Sequence, residues 1–176
     1  PRGPHVPDNF KGRKKEISII RSWLKGSSGI LQVNGIAGTG KTSLVGKALE
    51  EEIDPELTTI YIPVPSWGDD SSLMTNLSRE LESANRLSLS SLQKEKGSLS
   101  LDEFARGLEQ EISRKPMLLN LDDVHNLIGK GRKSKVLDLI IRMSVKDLKT
   151  ILISRDPLEL DPRLSMRSDP PLSLEV

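Results

Sequence analysis

The residues most able to do chemistry lie between positions 33 and 45, in the stretch VNGIAGTGKTSLV. Its glycines, lysine and hydroxyl side chains are not what an apolar core needs, and they fit the pattern G-x-x-x-x-G-K-[ST]. Glycines let a backbone pass close to a phosphate and aim successive N–H groups at it, and a helix that starts there adds its positive end. The stretch therefore predicts a phosphate-binding loop. A Gly-rich turn between strand and helix is the alternative, and the order strand, motif, helix favours the loop.

Each residue type in this loop suits one part of a nucleoside triphosphate. Lys41 is predicted to reach the β- and γ-phosphates, and the Thr42 hydroxyl to ligate Mg²⁺. Ser43 is predicted to add a hydrogen bond to the α-phosphate. The predicted nucleotide-binding residues of the loop are Gly35, Ala37, Gly38, Thr39, Gly40, Lys41, Thr42 and Ser43.

Two acids end the apolar stretch MLLNL. Asp122 is predicted to hold Mg²⁺ directly or through water, and Asp123 to orient or deprotonate an attacking water. A helix N-cap or a solvated turn is the alternative for both, since Asp is common in each. The upstream loop favours the metal role for Asp122, and the base role of Asp123 stays open against its alternative.

A third polar feature, Arg155, ends the stretch TILISR. A guanidinium at a strand end beside a triphosphate is suited to sense the γ-phosphate, because it binds phosphate oxygens in a fixed geometry. A surface salt bridge with Asp156 is the alternative. We favour the sensor role.

The elements that must position these residues alternate along the chain. Apolar runs rich in branched residues predict strands, and apolar residues three and four apart predict helices. The strands are nearly continuous apolar runs, which is typical of a parallel sheet covered by helices on both faces, where ligands bind at the carboxyl ends of the strands. Strands are predicted at 29–33, 58–64, 116–123, 148–155 and 169–176, and helices at 13–25, 41–49, 71–84, 101–113 and 133–143. Residues 87–99 have little periodicity and predict a mobile loop, or a segment whose sequence varies freely.

Composition narrows the class of protein. The 176 residues carry 26 Lys and Arg against 25 Asp and Glu, a net charge of +1, so nothing in the charge demands nucleic acid or an anionic membrane. Cysteine is absent and His5 and His125 lie far apart, which argues against disulfides and zinc. No apolar run is long enough to span a membrane. Residues 1–10 are Pro-rich and predict an extended linker rather than a signal peptide, so we expect a cytoplasmic domain.

Four stretches together resemble a known family. FKGRKKEI, GIAGTGKTSL, LLNLDDVH and ILISRDP occur in the order and approximate spacing of the NB-ARC domain of STAND ATPases, which include plant disease-resistance receptors and apoptosome-forming proteins. Trp67 in PSWGDDSSLMTNLSREL also looks like the plant-type segment, and the resemblance covers residues 10–176. His125 and the triplet ISR depart from the usual plant pattern, where many members have Trp and TTR.

The resemblance implies a fold and a set of missing parts. It implies an α/β P-loop NTPase three-layer sandwich, with a five-stranded parallel sheet in the order 5-1-4-3-2 and helices on both faces. Residues 11–176 would form the nucleotide-binding subdomain, and the ARC and sensor domains would be absent. It also places the backbone of Lys11 and the side chain of Arg13 near the adenine. A solvated basic run is the open alternative for KGRKK.

The function implied by the resemblance is a switch in an immune receptor. ATP and ADP would set the state, Mg²⁺-dependent hydrolysis assisted by Lys41, Asp123 and Arg155 would be slow, and the active form would be a homo-oligomer. Nucleic acid is then an unlikely partner, and KGRKSK at 130–135 is interpreted as a solvated loop. Two alternatives remain: an AAA+ ATPase of the origin-recognition type acting on DNA, which the near-neutral charge and the Asp pair disfavour, and an inactive nucleotide-binding scaffold.

Overall fold

The computed structural model describes residues 3–8, 10–50, 54, 56–128, 133–145 and 147–176. In this part of the chain, strands and helices alternate as the sequence predicts. The strands are β1 Ile30–Asn34, β2 Thr58–Pro63, β3 Met117–Asp122, β4 Leu148–Ser154 and β5 Leu172–Glu175. The α-helices are α1 Lys14–Lys25, α2 Lys41–Glu50, α3 Asp70–Ser83, α4 Ser88–Lys96, α5 Leu101–Arg114 and α6 Lys135–Met143, and Val124–Leu127 and Pro162–Met166 form short 3₁₀ helices.

The five strands form one parallel sheet in the order β2-β3-β4-β1-β5. This is the predicted order 5-1-4-3-2 seen from the other edge, so the fold prediction is confirmed. One buried cluster joins β2 and β3 to α3, α5 and α6, and a second joins β1 and β4 to α1 and α2. Strands β3 and β4 are buried along their whole length, which explains why they are apolar without alternation.

Local signals set several of the helix boundaries. Helix α5 begins at a capping box in which Ser100 accepts from the backbone N–H of Glu103 and the Glu103 carboxylate accepts from the Ser100 N–H. Helix α3 begins with the same arrangement between Asp69 and Ser72. Gly26 ends α1, as its position after the apolar periodicity predicts.

The prediction of a mobile loop at 87–99 is wrong, because Ser88–Lys96 is helix α4. Its own apolar periodicity is poor, and contacts with α5 hold it in place instead. Leu89 is fully buried and lies so close to Gly107 that a Cβ there would meet Leu89 Cδ2 at 2.5 Å. The Ser88 N–H, in the first turn of α4, donates to the Glu111 carboxylate at 2.7 Å. Tertiary contacts therefore override the weak local pattern.

The segment predicted as a linker packs against the helix that follows the phosphate-binding loop. Residues 3–8 contain no helix or strand, and a Cβ at Gly46 would meet Val6 Cγ2 at 2.8 Å and Pro4 Cγ at 3.1 Å. Residues 1, 2 and 9 of this prediction, and 130–132 of the predicted basic loop, lie outside the described residues. None of the described helices is long and apolar enough to cross a membrane.

Candidate functional site

A cleft of about 370 Å³ opens at the carboxyl edge of the sheet. Three separate segments line it: the loop between β1 and α2, the end of β3, and the residue after β4. The lining residues are Ala37, Gly38, Gly40, Lys41, Thr42, Asp122, Asp123 and Arg155. Every one of them is a predicted site residue.

The loop has a backbone that only glycine adopts easily at several positions. Gly38 and Gly40 have φ values of 82° and 79°, in the left-handed region. Gly35 has φ 153°, and a Cβ there would meet the Val176 carbonyl oxygen at 2.2 Å. Helix α2 begins at Lys41, directly after Gly40, so its N-terminus points into the cleft.

Lys41 holds the loop together through its ammonium group. Its Nζ donates to the carbonyl oxygens of Gly35 at 2.6 Å and Ile36 at 2.9 Å, and the residue is only 8% exposed. No carboxylate among the described residues forms an ion pair with it. A largely buried cation that meets only neutral oxygens is suited to attract an anion into the cleft, because burial makes an unpaired charge costly.

Asp122 is the centre of a hydrogen-bond cluster at the end of β3. Its Oδ2 accepts from the Thr42 hydroxyl at 2.7 Å and from the Tyr61 phenol at 3.0 Å, and its Oδ1 accepts from the Asp123 N–H at 2.9 Å. Because Thr42 donates its proton to Asp122, the lone pairs of its hydroxyl oxygen remain available to a cation. These oxygen ligands fit Mg²⁺, which is usually held by one or two protein oxygens together with phosphates and water.

The described residues contain no group of three or more acids or histidines that could hold a metal by itself.

Tyr61 on β2 is a member of this cluster that the sequence analysis missed. Burial, reinforced by the negative charge of Asp122 and the hydrogen bond to it, raises the pKa of the Tyr61 phenol well above its ordinary value of 10.0. The phenol therefore keeps its proton and acts as a donor. Its signal in the sequence is that Tyr61, the only tyrosine of the chain, is the one aromatic residue in a strand of threonine, isoleucine and proline.

Asp123 enters the cleft because of its backbone. It has φ 55°, in the left-handed region, and stands at the N-cap position of the 3₁₀ helix Val124–Leu127 without a side-chain capping hydrogen bond, and it lines the cleft. That carboxylate is 55% exposed and its Oδ1 lies 3.9 Å from His125 Nδ1. An exposed carboxylate at the cleft is placed to meet water.

Arg155 follows β4 and is tied to the loop through the backbone. Its carbonyl oxygen accepts from the Gly35 N–H at 3.2 Å, and its exposed side chain lines the cleft. The alternative salt bridge with Asp156 is not formed among the described residues.

Five predicted binding residues do not line the cleft. Gly35 and Thr39 lie within the loop, where the Thr39 hydroxyl donates to the Ile36 carbonyl at 3.0 Å. The Ser43 hydroxyl donates to the His5 carbonyl at 3.4 Å. Arg13 has φ 55° at the start of α1, and Lys11 is exposed just before it. The adenine role of Lys11 and Arg13 stays a prediction.

Comparison with known proteins identifies the relatives of this architecture. The sequence family described as an AAA domain matches residues 24–164. No curated protein sequence matches the chain. Cdc6p from Pyrobaculum aerophilum is similar in structure, with a TM-score of 0.72 at 21% identity over 97% of this chain and 46% of that chain.

Two further structures were solved with DNA. The Aeropyrum pernix ORC1 protein in complex with DNA has a TM-score of 0.62 at 18% identity, over 97% of this chain and 46% of that chain. Drosophila ORC bound to DNA has a TM-score of 0.60 at 17% identity, over 97% of this chain and 44% of that chain. At these identities the likeness establishes the fold. The chain spans less than half the length of the chains it resembles.

The predicted membership of the NB-ARC family is wrong, because the matching family is the AAA domain and the similar structures are Cdc6 and ORC proteins. The predictions that depended on this membership are wrong as well. They are the immune-receptor switch, the plant-defence role, the ARC and sensor domains as partners, and the activation-linked homo-oligomer. The expectation that nucleic acid is an unlikely partner is also overturned, because two of these structures hold DNA. The physical reason for the wrong family is that the quoted stretches serve the binding of one phosphate group. Different P-loop ATPases share that chemistry.

Proposed function

Because the chain belongs to the AAA domain family, we propose that it is the nucleotide-binding module of an ATPase of the Cdc6 and origin-recognition type. It binds ATP and ADP with Mg²⁺, hydrolyses ATP, and acts on DNA as part of a larger protein. The alternative of an inactive nucleotide-binding scaffold differs only in lacking turnover.

The observation that carries the nucleotide part is the hydrogen bond between Thr42 and Asp122, 2.7 Å long, beside the Lys41 ammonium. It joins the start of α2 to the end of β3 and brings a cation-binding hydroxyl, a carboxylate and a buried positive charge into one cleft. No packing requirement explains that combination, whereas a triphosphate with its metal uses all three groups.

The residues of the cleft divide the work of phosphoryl transfer to water. Lys41 binds the β- and γ-phosphates once its ammonium leaves the loop carbonyls, and Arg155 contacts the γ-phosphate and offsets charge there in the transition state. Thr42 and Asp122 would hold Mg²⁺, which would neutralise phosphate charge when bound. Asp123 orients the attacking water and accepts its proton.

The test of the nucleotide part is calorimetric titration of the chain with ATP in the presence of Mg²⁺. Lys41→Ala is expected to weaken binding about 10- to 100-fold, because a hydrogen bond to a charged group contributes about 1.5–3 kcal/mol. Lys47→Ala is the matched control, since Lys47 lies on the same helix but pairs with Glu50 outside the cleft. Equal affinity in the Lys41→Ala and Lys47→Ala variants would contradict the assignment.

The DNA part is supported by the two similar structures that hold DNA. With a net charge of only +1, binding must depend on a local surface rather than on overall charge. Fluorescence anisotropy with a labelled duplex, with ATP and Mg²⁺ present, tests it. Phosphate contacts predict an affinity that falls steeply between about 50 and 200 mM salt. Absence of salt-dependent binding would overturn the DNA part and leave the nucleotide part standing.

A further inference from the structure

We propose that Tyr61 is a positioning residue of the Mg²⁺ site, whose phenol holds the Asp122 carboxylate in the orientation that aligns the Thr42 hydroxyl. This inference rests on the proposed function and deepens it. It adds to the metal site an edge-strand residue that touches neither the nucleotide nor the cation.

The Asp122 carboxylate is held by hydrogen bonds from several parts of the chain. Three donors come from three elements: the Thr42 hydroxyl from α2, the Tyr61 phenol from β2, and the Asp123 N–H after β3. Thr42 and Tyr61 share one carboxylate oxygen, and Asp123 uses the other. A carboxylate bonded at both oxygens has its rotation fixed, and the position of Tyr61 thereby determines where the acceptor for Thr42 lies.

The register between β2 and β3 places Tyr61 close to Asp122. Tyr61 is paired with Asn120, and Pro63 is paired with Asp122. Tyr61 therefore lies two residues before the partner of Asp122, on the neighbouring strand and on the same face of the sheet. From there the phenol reaches forward to the carboxylate. The register between β2 and β3, which the core determines, is thus transmitted to the metal site through one hydrogen bond.

Tyr61 lies outside the cleft. The residues that line the cleft do not include it, so its loss removes no contact to phosphate. Partners of metal-binding groups in this outer position orient them, and their removal commonly costs about 10- to 100-fold in metal affinity or activity. A packing residue would instead change stability and nucleotide affinity together.

The test compares Tyr61→Phe with the wild type in two measurements of nucleotide binding. With a fluorescent ATP analogue in EDTA, the affinity is expected to be unchanged. In a Mg²⁺ titration of the ATP complex, the half-saturating concentration is expected to rise about 10-fold. Thr59→Val is the matched control, because Thr59 lies on the same face of β2, two residues earlier, and no hydrogen bond joins it to Asp122 among the described residues.

The outcomes separate this inference from the proposed function. An unchanged Mg²⁺ requirement in Tyr61→Phe, with Asp122→Asn and Thr42→Ala both weakened, overturns the role of Tyr61 and leaves the metal site intact. An equal loss of affinity with and without Mg²⁺ shows a packing role and also overturns it. If Asp122→Asn and Thr42→Ala leave the Mg²⁺ requirement unchanged, the metal site itself fails.

A second measurement needs no substitution at Tyr61. Because Tyr61 is the only tyrosine, 3-fluorotyrosine labelling places a single ¹⁹F probe beside Asp122. Adding Mg²⁺ to the ADP complex is expected to shift this resonance in the wild type and to leave it unmoved in Asp122→Asn. A wild-type resonance that ignores Mg²⁺, or the same shift in both proteins, contradicts the inference.

Discussion

At the scale of single residues, Asp123 reaches the cleft through an unusual backbone rather than through the strand before it. Its φ of 55° lies in the left-handed region, which Asp and Asn tolerate better than most residues. The carboxylate can therefore be altered without disturbing the turn, and the hydrolytic role separated from folding.

Asp123→Asn is expected to keep nucleotide affinity and to lower ATP hydrolysis about 10²- to 10⁴-fold, the usual contribution of a general base. The measurement is release of phosphate under saturating ATP. Asp156→Asn, an exposed acid outside the cleft lining, is the control and should retain the wild-type rate. Turnover equal to the control would contradict the role of Asp123 as the base.

Asn120 is a second residue whose environment makes a sharp prediction. It is 0% exposed in the middle of β3, and neither polar atom of its amide has a hydrogen-bond partner among the described residues. Asn120→Leu is expected to raise the free energy of unfolding by about 1–3 kcal/mol in urea denaturation, because a buried unpaired amide is costly.

The control for that prediction is Asn126→Leu. The Asn126 amide donates to the Val64 carbonyl at 2.8 Å, so the same substitution there should lower stability by about 1 kcal/mol. A loss of stability in Asn120→Leu would show that the amide is bonded in solution.

At the scale of elements, helix α4 depends on a buried ion pair beside its first turn. Arg86 Nε donates to the Glu111 carboxylate at 3.0 Å, and Arg86 also donates to the Lys115 carbonyl at 2.7 Å. Burial alone raises the pKa of Glu111, but the hydrogen bonds from Ser88 and Arg86 outweigh it and hold the pKa below its ordinary value of 4.5. One carboxylate thus joins the start of α4 to α5.

Glu111→Gln is expected to destabilise the fold by about 3–5 kcal/mol at neutral pH, because it leaves the Arg86 charge buried and unpaired. In the wild type, Glu111 of the unfolded chain takes up a proton at about pH 4.5. Glu111 of the folded chain takes it up only at a lower pH, because its pKa is lowered. The contribution of Glu111 is therefore complete at neutral pH and is lost as the pH falls through its folded pKa.

Urea denaturation between neutral and acidic pH measures this contribution. The slope of stability against pH should be smaller in Glu111→Gln than in the wild type below pH 4.5. Glu109→Gln, an exposed acid on the same helix, is the control and should keep the wild-type slope. Parallel curves for Glu111→Gln and the wild type would contradict the role of this pair.

At the scale of the whole molecule, the phosphate-binding loop is packed against the edge strand of the sheet. The Val176 N–H donates to the Asn34 carbonyl at 2.8 Å, and a Cβ on Gly35 would lie 2.2 Å from the Val176 carbonyl oxygen. The geometry of the loop therefore depends on how β5 pairs with β1, although these residues are far apart in sequence.

Gly35→Ala is expected to lower the free energy of unfolding by about 1–3 kcal/mol, from backbone strain at φ 153°, and to weaken ATP binding as the loop shifts away from β5. Thermal unfolding and the ATP titration measure the two effects. Gly3→Ala, where an added methyl meets nothing within 4 Å, is the control. Full stability together with full ATP affinity in Gly35→Ala would contradict the coupling.

The sequence by itself determined the parallel sheet and the residues that line the cleft. Continuous apolar runs such as MLLNL mark strands buried on both faces, and polar residues at their carboxyl ends must meet at one edge of a parallel sheet. The phosphate-binding loop is also local chemistry, since glycine conformations and a helix start follow one another within a dozen residues. The same locality explains the wrong family, because short stretches that serve one phosphate are shared by ATPases of different function.

Only the tertiary structure decided helix α4, the place of Tyr61 and the present partners of Lys41. Helix α4 forms where its Ser88 N–H donates to Glu111 and its Leu89 packs on Gly107 of the later helix α5. Tyr61 meets Asp122 through the register of two strands that are distant in sequence. These features depend on contacts between segments far apart along the chain, and local periodicity carries no information about which distant side chain satisfies a donor or fills a gap.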